Sequence, residues 1–267
     1  MNMKFCLCFI FVISTSAYSY TNKYTEAYSK VEFCQKSQIP NFFQTKLKVN
    51  YSSRMGFVNH GGIFKGGVCW WHSLFQRNAA YLTYFSPKKP MPTKEEAIQI
   101  IKKIKSGKSV VEIPGFYSFY QFSLAYEKEI QSSLNHWQTH DAILKFKWFP
   151  ALAKPSEVKS KKLKKIMDKL YIDVKQGKVV FQMLQLEGIV AHAWLVLDVA
   201  KIANGYKLQI IESNNPSYVV DFVYSEGDSY LNFDFNFKNY KFVPYTSYEK
   251  SLTALEKTVE NFCTTKY

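Results

Sequence analysis

Residues 178–211 read KVVFQMLQLEGIVAHAWLVLDVAKIANGYKLQII, and they decide the fold class. Residues 178–186 alternate apolar and polar side chains, the pattern of a strand. Residues 189–199 are apolar on both faces, as a central strand covered on both sides must be. Asn204-Gly205 is a hairpin turn, and residues 206–211 form the returning strand. Downstream, residues 218–224 suit another strand, and the aromatic run 230–245 suits one or two more. Residues 247–262 read as a closing helix. Upstream the period changes. Val158, Leu163, Ile166, Leu170 and Val174 line one face of a helix over residues 156–176, with lysines mostly on the other face. Gly177 stops that helix. Residues 119–137 are also helix-like, and Pro114-Gly115 breaks the chain before them. Residues 93–106 begin with a capping box, Thr93 and Glu96, and residues 69–85 form an earlier helix. Helices first and an antiparallel sheet afterwards make an α+β layout.

The chain has 267 residues, with 47% apolar and 17% aromatic content. This composition belongs to a folded globular protein and excludes a disordered one. The formal charge is +14, mostly from lysines in residues 88–108 and 154–178. Such lysine runs read first as a solvated helix face, and the sharper reading is attraction to an anionic surface such as lipid headgroups or envelope polymers. No nucleic-acid partner is expected, because lysine without arginine forks or a binding motif reads phosphate weakly.

Residues 1–19 have the three parts of a secretory signal peptide. Lys4 supplies charge, residues 5–13 (FCLCFIFVI) are apolar, and Ala17-Tyr18-Ser19 suits cleavage. The working protein, residues 20–267, is then expected to be secreted or periplasmic and monomeric. It forms a single domain with a helix-rich part over about 60–176 and a sheet part over about 178–245. Of the five cysteines, Cys6 and Cys8 leave with the leader. Cys34 and Cys263 lie near the two ends of what remains, and domain ends often meet. A Cys34–Cys263 disulfide is therefore expected, leaving Cys69 outside any disulfide.

Cys69 follows Gly66-Gly67-Val68 and is followed by Trp70-Trp71-His72-Ser73. Two glycines permit a sharp entry into a helix. A cysteine in the first helical turn feels the positive end of the dipole, which favours thiolate. Between Trp70 and Phe85 the only charged side chain is Arg77, so this helix should be buried. A nucleophilic thiolate also needs a base and an orienter. His192 begins the most buried strand, and the next strand returns to end in Glu212-Ser213-Asn214. Either Glu212 or Asn214 is placed to fix the imidazole. His72 points along the cysteine's own helix and is poorly placed as a base.

These residues resemble the papain-like cysteine peptidase superfamily, in particular its divergent bacterial members. The likeness lies in Gly-x-Cys-Trp heading a helix (Gly67 to Trp70) and in His-Ala-x-x-Val on a strand (His192 to Val196). A turn and a strand ending in an acidic residue or Asn follow in the family's order. The Cys-to-His interval is slightly shorter than the roughly 130–150 residues of typical members. The resemblance implies a papain-like domain with Cys69 as nucleophile, His192 as base and Glu212 or Asn214 as third member. The substrate would be an amide in a protein, a peptide or a cell-wall peptide. No cofactor is implied. The family's oxyanion glutamine is missing upstream of Cys69, and Asn59 and His60 are the candidates to replace it. No metal site is expected. Cys69 with His72 lacks further ligands, and His136 and His140 stand four apart without an intervening Glu. A different class remains open: a non-catalytic protein on the same scaffold that holds an anionic envelope polymer.

Overall fold

A computed structural model of the chain describes residues 25–61, 68–140, 155–186, 191–235, 238–246 and 249–265. The expected leader, residues 1–19, and the Gly66-Gly67 turn lie outside these residues.

Two short helices come first, α1 (Lys30–Ser37) and α2 (Phe42–Val49). Each has two turns, too few for a hydrophobic period to stand out in the sequence. The central helix α3 runs over Cys69–Leu82, and all fourteen of its residues are buried. It stops three residues earlier than the helical pattern suggests. Thr83–Ser86 becomes strand β1, which pairs in parallel with β2 (Val111–Pro114). Thr, Tyr and Phe favour the extended state once a partner strand exists. Between β1 and β2 lies α4 (Lys94–Ser106), and its capping box forms as expected. The Thr93 N–H donates to Glu96 Oε2 at 2.7 Å, and the Glu96 N–H donates to Thr93 Oγ1 at 3.3 Å.

The helix expected over residues 119–137 is two helices, α5 (Phe119–Ala125) and α6 (Glu127–Thr139). They break at Tyr126, whose backbone leaves the helical region at φ −115° and whose hydroxyl donates to the Pro92 carbonyl. Helix α7 (Ser160–Lys175) follows. Gly177 ends it at φ 85°, where a Cβ would approach Asn41 Oδ1 to 2.8 Å.

The sheet comprises β3 (Val180–Leu186), β4 (Ala191–Ile202), β5 (Gly205–Glu212), β6 (Val220–Ser225), β7 (Leu231–Phe235) and β8 (Lys238–Thr246). Its order is β6-β5-β4-β3-β8-β7 and every pairing is antiparallel. The α+β class is therefore observed, with a small parallel pair added. Helix α8 (Glu249–Thr264) closes the chain.

Both faces of the sheet are covered. Ala193, Leu195 and Leu197 of β4 belong to the core that includes α3. Trp194, Val196 and Val199 belong to a second core that includes Leu163, Met167, Leu170 and Val174 of α7. The switch from even to odd numbers after Val196 follows from a bulge between Val196 and Asp198, since one extra residue inverts the alternation. Strand β3 is buried along its whole length, although its polar residues suggested an exposed face. Gln182 is inside because its Oε1 accepts a 2.8 Å bond from Trp194 Nε1. A paired buried amide is tolerated where an unpaired one is not.

Cys34 of α1 and Cys263 of α8 form the expected disulfide, with Cα atoms 5.4 Å apart. Among the described residues no helix is long and apolar enough to cross a membrane.

Candidate active site

Cys69 is the first residue of α3, and it is buried and not disulfide-bonded. His192 is the second residue of β4 and Glu212 the last of β5. The register pairs Trp194 with Glu212. Glu212 thus sits two positions along the strand pair from His192, within reach of a long side chain. The structure closes that gap: Nε2 of His192 is hydrogen-bonded to Glu212 Oε1. Cys69 is the other partner of the imidazole, its charge and hydrogen bond acting on His192 beside those of Glu212. Helix and sheet are tied at the same point, because Trp70 Nε1 donates to the His192 carbonyl at 2.9 Å.

The electrostatics follow from this arrangement. Burial alone pushes the His192 imidazole down. The opposing charge and hydrogen bond of Cys69, joined by the hydrogen bond and charge of Glu212, outweigh it and raise the pKa to about 10. Glu212 Oε1 is itself oriented from behind. The Asn214 N–H donates to it at 2.9 Å, and the Ser213 hydroxyl lies at 3.4 Å. Cys69 is 2% exposed, His192 9% and Glu212 6%. In so dry a setting each charge acts on its neighbours far more strongly than in water.

No family model, curated protein or solved structure matches this chain. The site therefore stands on its own geometry.

Of the two residues considered for the third position, Glu212 holds the imidazole. The Asn214 side chain turns away, and its Oδ1 accepts from Asn59 Nδ2 at 3.2 Å. Asn59 is further fixed by its N–H to the Ser213 carbonyl at 3.0 Å and by its Oδ1, which accepts from the Gly61 N–H at 3.1 Å. His60 meets Glu127 Oε1 at 2.6 Å and stacks on Phe57. These contacts engage Asn59 at the turn after β5 and His60 at α6.

His72 lies one turn below Cys69, buried, with Nε2 3.2 Å from the Phe57 carbonyl. Burial pushes its pKa down to about 4, so it is a neutral donor that fixes the 57–61 loop to α3. Trp70 joins α3 to the histidine strand through its bond to the His192 carbonyl. A buried indole N–H needs an acceptor, and that requirement was the available sign of its tie to the histidine strand. Among the described residues no group of three His, Cys, Asp or Glu side chains could hold a metal ion.

Proposed function

We propose that this protein is an exported papain-like thiol hydrolase that cleaves an amide bond in a protein or a cell-wall peptide. The observation that carries the reading is His192, hydrogen-bonded at once to Cys69 and Glu212 between a helix start and a strand start. In the proposed reaction the Cys69 thiolate attacks the amide carbonyl carbon. The C–N bond breaks, and the His192 imidazolium gives its proton to the leaving amine. A thioester remains. Water then attacks it, its proton passing through His192, and releases the acid and the thiol. Glu212 stabilises the imidazolium and fixes its tautomer, as the third member of such triads does. Export is supported by the form of residues 1–19, and the Cys34–Cys263 disulfide is compatible with an oxidising compartment.

Two observations favour the non-catalytic alternative. Cys69 is only 2% exposed, and the side chains of both oxyanion candidates already hold partners, Asn214 and Glu127. Losing one oxyanion donor costs about 3 kcal/mol of transition-state stabilisation.

Iodoacetamide labelling of Cys69 across pH 5 to 9, read by mass spectrometry, separates the two readings. The hydrolase reading expects labelling of Cys69 well below the pH of an ordinary thiol, and slower labelling in His192→Ala. A profile centred near pH 8.5 and unchanged by the substitution rules out an activated pair and leaves the binding protein.

A further inference from the structure

The two lysine-rich stretches of the sequence meet different fates in the fold. On α7, Lys164 meets Asp168 at 3.1 Å, Lys169 meets Asp173 at 2.6 Å and Lys175 meets Asp198 at 3.2 Å. Three of the six lysines of α7 are thus paired with carboxylates. Helix α4 instead lies beside α6, and the two enclose an open groove of about 500 Å³. Lys94 at the start of α4 reaches Glu129 at the start of α6 at 3.7 Å.

Lys94, Lys102 and Lys105 line one wall and Lys128 the other, with the hydroxyls of Ser132 and Ser133 beside it. Ile98 and Ile101 form the apolar floor. Glu129 is the only carboxylate in the lining and answers Lys94 alone. Among the described residues neither Lys102 nor Lys128 meets a carboxylate, and both are exposed. The amines on α4 are spread over three turns, about 16 Å. They cannot converge on one small ion, but they can follow a chain of charges. Lysine serves phosphate as a point charge, and serine hydroxyls add donors. The lining holds no Phe, Tyr or Trp and no arginine, and its one ring is the His136 imidazole. A single imidazole is not the succession of aromatic platforms on which single-stranded nucleic acid stacks its bases, and the planar fork that reads bases is absent. The volume falls in the range of ligand clefts, and its concave shape suits a strand better than a flat bilayer.

We infer that the α4–α6 groove binds a linear polyanion that carries phosphate groups and no bases. The site is separate from Cys69 and does not depend on its chemistry.

The test is binding of fluorescently labelled inorganic polyphosphate to the full chain at two salt concentrations. Wild type, Cys69→Ala, the double variant K102E/K128E and the control K161E/K165E on α7 are compared. The control makes the same change in net charge at exposed positions outside the groove. Wild type and Cys69→Ala are expected to bind alike. K102E/K128E should lose about tenfold or more in affinity and lower the salt slope by about 2, while the control stays within about threefold. Equal losses in both double variants, or no binding by wild type at low salt, overturn the groove. Tighter binding of an oligothymidylate than of polyphosphate overturns the base-free assignment.

Discussion

His192 is subject to opposed demands. Burial disfavours its charge, and Cys69 with Glu212 restores it, raising the pKa to about 10. Removing the carboxylate charge should therefore undo part of the shift. Glu212→Gln is expected to lower the His192 pKa by about 1–3 units, read by NMR titration of the imidazole. Asn214→Ala should leave it in place, because the Asn214 side chain serves Asn59. An equal drop in both variants would show that Glu212 is not the orienting group. His72 has the opposite sign. Its folded pKa, about 4, lies below the ordinary value of 6.5. The unfolded chain takes up a proton as pH falls through 6.5 while the folded one does not. Stability is thus lost between pH 6.5 and 4, by about 3 kcal/mol at pH 4. His72→Gln keeps a donor for the Phe57 carbonyl without a titrating ring. Its urea midpoint should fall less than that of wild type between pH 7 and 4; parallel falls would refute the assignment. The sequence made Cys69 and His192 legible through a glycine-led helix start and the first residues of a strand. It left Glu212 and Asn214 open, because the choice depends on which side chain the turn after β5 directs inward.

At the scale of elements, legibility followed local information. The capping box of α4 and the glycine ending α7 are written in adjacent residues and were found in place. The all-round burial of α3 followed from its single charge, Arg77, whose Nη2 finds Ser251 Oγ at 2.7 Å. What local pattern could not show was decided by partners far along the chain. Residues 83–86 turned to strand because residues 111–114 lay alongside. Gln182 went inside because Trp194 offered a donor. The bulge after Val196 shifted the apolar side of β4, and a single charged residue, Asp198, in an otherwise apolar stretch does not by itself mark such an inversion.

At the scale of the whole molecule, the Cys34–Cys263 link spans a sequence separation of 229 and joins the first described helix to the last. A cross-link over so long a loop restricts the unfolded chain by about 4–5 kcal/mol in the chain-entropy model. The double variant Cys34→Ser/Cys263→Ser should lose stability of that order in urea unfolding while Cys69 keeps its alkylation profile at native conditions. A loss of Cys69 reactivity without a shift in the midpoint would mean that the link supports the site rather than the fold. Both link residues lie on helices, whereas the Cys69–His192 pair is divided: the thiol rides on α3 and the imidazole on β4, joined through the Trp70 indole. On the proposed hydrolase reading neither half is active alone. A chain whose helix and sheet are still apart carries an ordinary thiol, and the pair exists only once the helix is seated on the sheet.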